Sequence, residues 1–264
     1  MRSLFSFANV GSTSMLSSAT RLRVVWPRIA CLLSACLLSA VMPARAANLQ
    51  ISPITVSLGP DETATALTLV NEGDQPLYGQ VRAFDWDQAN GEDVLTPARD
   101  LIASPPLIEI APGAQQIIRL LRTAPGPVAS EHSYRVLVDE IAPPDQAQAS
   151  GVTVRLRYSI PVFVGSSADG QPALSWSLRK QADGWSLEAI NSGTRRAQIS
   201  AVQLSSGGRT YDINNGLLGY ALAGRARRWY LPLDGGAALS NPVRLRARVN
   251  ANPVEASVNT TSAR

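Results

Sequence analysis

Short runs of alternating apolar and polar residues fill the chain from Leu49 to Val164. Such alternation is typical of strands with one buried face, and no run has the period of a helix. Turn residues separate the runs, as in "NEGDQP" and "QANGED". Seven strands in about 115 residues are the spacing of an immunoglobulin-like sandwich. The predicted strands are Leu49–Leu58, Thr63–Val70, Leu77–Trp86, Leu107–Ile110, Gln115–Arg122, Ser133–Ile141 and Val152–Val164.

The first run changes phase at a proline. Leu49 and Ile51 precede Pro53, and the apolar alternation resumes at Ile54 after it. A one-residue slip turns the apolar set to the opposite face. The slip therefore predicts a strand that changes sheets at Pro53.

A second β series follows a polar segment. The stretch "GSSADGQPA" at residues 165–173 has no periodicity, and weaker alternating runs such as "WSLEAIN" and "PVRLRARVN" come after it. We predict an all-β chain with a first domain at 47–165, a linker at 166–173 and a second β-sandwich domain at 174–251. The small polar residues at 252–264 predict a flexible tail.

The first 46 residues read as an export signal. An apolar run at Ile29–Met42 follows a basic segment and precedes an A-x-A site at Ala44–Ala46. Cleavage before Ala47 would leave 218 of the 264 residues. Because the segment is long, translation from Met15 stays open. A competing interpretation makes Leu33–Cys36 a lipoprotein box, but it leaves too short an apolar run.

Removing the signal changes the charge of the chain. The signal segment carries five arginines and no acid. Without it, 19 of the 24 basic residues remain, against 20 acidic residues. The formal net charge of +4 therefore belongs to the leader, and it does not indicate nucleic-acid binding. Both cysteines, Cys31 and Cys36, also lie there, so the exported chain has neither a disulfide nor a thiol nucleophile.

The sequence gives little support for a catalytic or metal site. His132 is the single histidine, and no G-x-S-x-G motif is present. Carboxylate pairs such as Asp85 with Asp87, or Asp139 with Glu140, flank turns and strand ends, where solvated side chains are common. Four of the five tryptophans are scattered over different runs, which favours packing over a carbohydrate platform; they are Trp86, Trp176, Trp185 and Trp229. We expect no catalysis, metal or cofactor.

The segment "TVRLRYSIPVFV" at Thr153–Val164 combines an apolar face with a basic one. Val154 and Leu156 share their face with Tyr158 and Ile160, while Arg155 and Arg157 point the other way. Alternation alone establishes only that the two arginines share a face.

Three segments together resemble the periplasmic chaperones of chaperone-usher pili. They are "SPPLIEIAPGAQQIIRLLR", "EHSYRVLVDEIAPP" and "VRLRYSIPVFV", in that order. The segments "FDWDQANGEDVL" and "RYSIPVFV" are most similar to the archaic branch of this family, associated with Csu-type pili and spore-coat-U-like subunits. The resemblance runs from about Leu49 to Val164 and continues more loosely into the second domain.

The resemblance implies two immunoglobulin-like domains at an angle, in a boomerang, that complete an unfinished pilus subunit by donor-strand complementation. The partners it implies are pilus subunits and an outer-membrane usher in the periplasm, with no cofactor, nucleic acid or stable membrane insertion. Its donor strand corresponds to Val152, Val154 and Leu156. A basic residue that binds the subunit's terminal carboxylate corresponds to Arg157, with Arg155 as its neighbour.

The chain also departs from the family pattern. Gln148 and Ser150 stand where further bulky donor residues are expected, and Thr55 stands where a second basic anchor is expected. Of the interdomain ionic contact, Glu131 and Asp234 match the acids. The arginine expected just before Pro161 is Ile160.

Two rival classes remain at this point. A secreted β-sandwich adhesin or pilus component would be one incomplete domain with a donor arm, whereas two domains are predicted here. A carbohydrate-active protein needs clustered carboxylates or aromatics. On the chaperone hypothesis, we expect Arg157→Ala to weaken subunit capture more than Arg135→Ala.

Overall fold

The computed structural model describes residues 49–123, 126, 129–143, 154–165, 170–182, 184–233 and 239–262. Every helix or strand element in these ranges is a β-strand. The predicted leader with both cysteines, the donor-arm residues Gln148, Ser150 and Val152, and the predicted contact residue Asp234 lie outside the described residues.

Ten strands form the first lobe as two sheets. One sheet has the order β1-β3-β8-β6, and the other has the order β2-β10-β9-β4-β5 with β7 also paired to β4. The strands are β1 (Leu49–Ser52), β2 (Val56–Leu58), β3 (Ala64–Asn71), β4 (Leu77–Ala89), β5 (Glu92–Pro97), β6 (Leu101–Ser104), β7 (Leu107–Ile110), β8 (Gln115–Arg122), β9 (His132–Glu140) and β10 (Arg157–Val164).

The proline corner predicted from the phase slip is confirmed. β1 pairs with β3 in the first sheet, whereas β2 pairs with β10 in the second. Pro53 lies between the two strands and lacks an N–H group that either ladder would need. The inward side chains of both sheets form one core, which includes Leu67, Ile118 and Val136, each fully buried.

Eight further strands form the second lobe, also as two sheets. Their orders are β15-β12-β11-β18 and β14-β13-β16-β17. The strands are β11 (Leu174–Gln181), β12 (Gly184–Asn191), β13 (Ala197–Ser206), β14 (Arg209–Ala221), β15 (Arg225–Leu231), β16 (Val243–Val249), β17 (Asn252–Val258) and β18 (Thr260–Ser262). A separate core fills this sandwich, with Leu187, Leu204 and Leu245 fully buried.

The prediction of a flexible tail is wrong for residues 252–262. β17 pairs with β16 after a two-residue turn at Asn250 and Ala251, both with positive φ. Val254 and Val258 pack into the second core from this strand, and β18 then pairs with β11. The alternation here is carried by small residues, so its signal in the sequence is weak.

The two lobes also pack on each other through a small aromatic core. Trp86 and Phe163 from the first lobe meet Tyr220 and Leu222 from the second, and all four are buried. The ring centroids of Trp86 and Tyr220 lie 5.4 Å apart, edge to face. Trp86 is therefore a packing residue, as expected, and it packs between the lobes.

Candidate functional site

Half of strand β10 has an open edge. β9 covers one edge along the whole of Arg157–Val164. On the other edge, β2 covers only Val162–Val164. The segment from residue 154 to Pro161 therefore has no described strand on that side.

The register identifies which backbone groups face this open edge. The carbonyl oxygen of Leu156 accepts a hydrogen bond from the Glu140 N–H at 3.0 Å, so the even-numbered residues face β9. The N–H of Gly165 donates to Leu58 at 2.9 Å, which places odd-numbered residues on the β2 side. Arg155, Arg157 and Ser159 therefore present their backbone groups to the edge, and Pro161 ends the row because it has no N–H.

Apolar side chains are exposed along the same segment. Val154 is 72% exposed and Leu156 is 38% exposed, whereas Ile160 further along the same face is buried in the core. Val154 and Leu156 lie just before β10 begins at Arg157, so the exposed apolar residues continue the line of its free edge. A free strand edge flanked by exposed apolar residues is a template for pairing with another chain.

The two predicted anchor arginines differ in their surroundings. Arg157 makes an ion pair with Asp139, and Asp139 also accepts a hydrogen bond from Arg82 at 2.6 Å. Burial raises the pKa of Asp139, but the hydrogen bonds from Arg157 and Arg82 outweigh it and hold the pKa below its usual value. Arg155 is exposed and has no ion pair among the described residues. Arg157 is thus partly neutralised, whereas none of the acidic residues that the structure describes neutralises Arg155.

A cleft of about 470 Å³ lies between the lobes at the end of the open edge. Thr55, Ser159 and Pro161 line it from the first lobe, and Tyr220 and Arg227 line it from the second. Thr55, predicted to replace a basic anchor, is therefore at the cleft wall. Strand pairing ends and the lobes meet at the same place.

Arg135 supplies a cation to this cleft. Its guanidinium carbon lies 3.6 Å from the centroid of the Trp86 ring and 5.7 Å from that of Tyr220. Burial lowers the pKa of Arg135, and the nearby Asp93 carboxylate opposes that effect. An arginine keeps its charge even so. Sequence reasoning gave Arg135 no role in binding; the signal was one cation inside the apolar run "YRVLV".

Glu131 makes a second contact between the lobes. Its side chain is 2% exposed and contacts the Arg196 guanidinium at 2.5 Å. The backbone N–H of Arg196 donates to the same carboxylate at 3.0 Å, and the N–H of Glu131 donates to the Thr194 carbonyl at 2.9 Å. Arg196 also lies over Phe163, 3.7 Å from the ring centroid. One buried carboxylate thereby joins both lobes.

The single histidine has an ordinary environment. His132 is exposed, approaches Asp85 at 3.2 Å and stacks on Tyr134. Within the described ranges, no three histidine, cysteine or acidic side chains are placed to hold a metal ion. No described helix has the length and apolarity needed to cross a membrane.

A sequence model of the pili and flagellar-assembly chaperones, for the N-terminal domain of PapD, matches residues 48–166. The first lobe is a domain of this chaperone family. The resemblance to pilus-assembly chaperones is thereby confirmed, and the match is to a family of chaperones, not of enzymes. Comparison with curated proteins found no match.

Solved structures share the fold of both lobes. The complex of CsuC with the tip adhesion subunit CsuE from Acinetobacter baumannii matches with a TM-score of 0.63 at 24% identity, over 81% of this chain and 100% of the other. The Escherichia coli chaperone DraB matches with 0.56 at 20%, over 81% and 98%. The Salmonella enterica SafA pilin complex with the SafB chaperone matches with 0.56 at 15%, over 81% and 98%. The predicted all-β fold with two immunoglobulin-like sandwiches is confirmed.

Proposed function

We propose that this protein is a periplasmic chaperone of the archaic chaperone-usher branch. In this role it captures pilus subunits by donor-strand complementation and delivers them to an outer-membrane usher. The observation that carries the proposal is the open edge of β10 in a chain whose first lobe is a pilus-chaperone domain. The same edge exposes Val154 and Leu156.

The bond between chaperone and subunit is a β-augmentation. A subunit strand pairs with the backbone groups of Arg155, Arg157 and Ser159, which gives affinity without regard to side chains. Val154 and Leu156, with Val152 from the residues that the structure does not describe, enter the subunit's unfinished core. Burying an apolar side chain of this size contributes about 1.5–3 kcal/mol.

The cleft supports a parallel orientation of the captured strand. β2 runs parallel to β10, so a strand bound parallel to the open edge lies end to end with β2. Its last residue then reaches the cleft, where Arg135 is directly opposite Pro161. A terminal carboxylate is attracted there, whereas the terminal amine of an antiparallel strand is repelled.

Three arginines can hold that carboxylate, and the length of the bound strand selects among them. Arg157 is four residues before Pro161, about 13 Å along an extended strand, and Arg155 is about 20 Å before it. A strand that fills the whole edge ends beside Arg135. A shorter strand ends beside Arg157 or Arg155, which we retain as the anchors that the family resemblance implies.

Co-expression with a pilus subunit tests this function. We expect a one-to-one complex in the periplasm, and we expect the subunit to aggregate or be degraded when it is expressed alone. A subunit that is equally abundant and soluble without this protein would contradict the proposal. A variant with Val154→Asp and Leu156→Asp is the control, because it should fold and yet fail to protect the subunit.

A further inference from the structure

The hairpin formed by β4 and β5 extends from the first lobe onto the second. Its turn is Asn90–Gly91, with φ values of 55° and 80°. Gly91 forms a parallel bridge with Arg227, and the N–H of Arg228 donates to the Gly91 carbonyl oxygen at 2.9 Å. Arg227 and Arg228 belong to β15, which is the edge strand of its sheet. The hairpin tip therefore extends a sheet of the second lobe.

Gln88, two residues before the turn, holds the tip of this hairpin to the second lobe. Its Nε2 donates to the Tyr220 carbonyl oxygen at 2.8 Å and to the Asp93 carboxylate at 2.9 Å. Its Oε1 accepts a hydrogen bond from the N–H of Leu222 at 3.0 Å. The residue is only 4% exposed, so the Tyr220 carbonyl oxygen and the Leu222 N–H would lose a partner in dry surroundings if the amide were removed.

Ion pairs continue the contact beyond the amide. Arg227 contacts Glu92 at 2.6 Å and Asp93 at 3.6 Å, and Arg225 pairs with Asp87. Arg227 and Asp93 also line the cleft in which Arg135 lies. Asp93 of the hairpin thus forms part of one wall of the cleft, and its ion pair holds Arg227 on the opposite wall.

We propose that this hairpin is a clamp that fixes the two lobes so that Arg227 of the second lobe lies across the cleft from Arg135 of the first, and both cations meet the end of the open β10 edge. Gln88 and Gly91 are its positioning residues, and the ligand whose recognition depends on them is a peptide strand that ends in a free carboxylate. The inference rests on the proposed function, because it assumes that strands bind at that edge.

Gly91 gives a second way to disturb the clamp. A Cβ at this position would lie 3.0 Å from the Cβ of Arg228, on a backbone with φ of +80°. Gly113 is its matched control, since it has φ of +71° and nothing within 4 Å of its Cβ position. Alanine strains the backbone at both sites, but only at Gly91 does it press on the second lobe.

The test measures how strongly the cleft prefers a carboxylate. The probe is a fluorescein-labelled peptide in which valine alternates with threonine, made once with a free C-terminal carboxylate and once as the amide. For the wild-type chain we expect the carboxylate form to bind about tenfold more tightly. Gln88→Ala and Gly91→Ala should reduce this preference to less than about threefold, with amide binding unchanged. Gly113→Ala should keep the wild-type preference.

The results distinguish a failure of the clamp from a failure of the proposed function on which it rests. If Gln88→Ala and Gly91→Ala keep the full preference, the clamp does not position the cations, while strand capture stands. If the wild-type chain binds neither peptide, strand capture itself fails and the clamp fails with it. A wild-type chain that binds both peptides equally also overturns the clamp, because its cleft then does not distinguish a terminal carboxylate from an amide.

A distance measurement reports on the lobes directly. The native cysteines, Cys31 and Cys36, lie in the predicted leader, so an exported chain can carry two spin labels at Asp61→Cys and Ser257→Cys. We expect one narrow distance distribution between them in the wild-type background and a broader one with Gln88→Ala. Identical distributions in the two backgrounds would overturn the clamp.

Discussion

Pro161 lies directly opposite Arg135 in the antiparallel pairing of β10 with β9. Pro161 ends the row of backbone donors on the open edge, and Arg135 brings a guanidinium into the cleft at the same level. On the proposed function, the place where a bound strand must stop is therefore also the place where its terminal charge is attracted, so that edge pairing and charge recognition are parts of one site.

This register leads to a prediction about Arg135. Replacing it with alanine should weaken subunit binding by about tenfold to a hundredfold, the effect of a lost hydrogen bond to a charged group. The sequence alone favours a larger effect for Arg157→Ala. Titration calorimetry of both variants with a purified subunit decides between them, with the exposed Arg119→Ala on β8 as the control. A larger loss for Arg157→Ala would place the carboxylate on the strand instead of in the cleft.

The exposed apolar pair of the open edge supports a second prediction. Leu156→Asp should abolish subunit capture, because a carboxylate would enter the subunit's unfinished core unpaired. It should leave the chaperone's own unfolding almost unchanged, since Leu156 is 38% exposed. Ile117→Asp is the matched control, on a side chain that is 50% exposed on the other sheet of the same lobe. Pull-down of a tagged subunit checks the prediction, and equal capture by both variants would contradict it.

Local features of the sequence predicted the sandwich of the first lobe but missed its strands β5 and β6, and contacts between the lobes lay beyond them. The phase slip at Pro53 predicts the change of sheets because side-chain direction is a local property. Gln88 reads as one more polar strand residue, and its importance comes from Tyr220 and Leu222, more than 130 residues away. The position of Arg135 in the cleft depends on the same packing of the two lobes.

Asp139 leads to a prediction about pH. Its pKa in the folded chain is below the ordinary value of 3.8, so its ion pairs with Arg82 and Arg157 contribute stability that is fully present above the unfolded pKa of about 4. This contribution is lost as the pH falls through the folded pKa. We therefore expect Asp139→Asn to lower the free energy of unfolding at neutral pH, by an amount that shrinks below pH of about 4.

Urea denaturation at a series of pH values measures this difference. The exposed Asp61→Asn variant is the control and should give a small difference at every pH. A difference for Asp139→Asn that stays constant into acid would show that the stabilisation does not come from the ionised carboxylate and its pairs with Arg82 and Arg157.

Glu131 should be far more important for stability than its place at a strand end indicates. Glu131→Ala leaves the guanidinium of Arg196 without its carboxylate in a site where the Glu131 side chain is 2% exposed. Removing one partner of a buried ion pair costs about 3–5 kcal/mol. We expect a loss near the lower end, because the Arg196 side chain is 15% exposed and can reach water. Urea denaturation measures it, with the exposed Glu72→Ala as the control.

The loss should appear in both lobes together, since Glu131 joins β9 to the second lobe through Thr194 and Arg196. If only one lobe is destabilised, the two sandwiches unfold independently, and the buried carboxylate stabilises only the affected lobe.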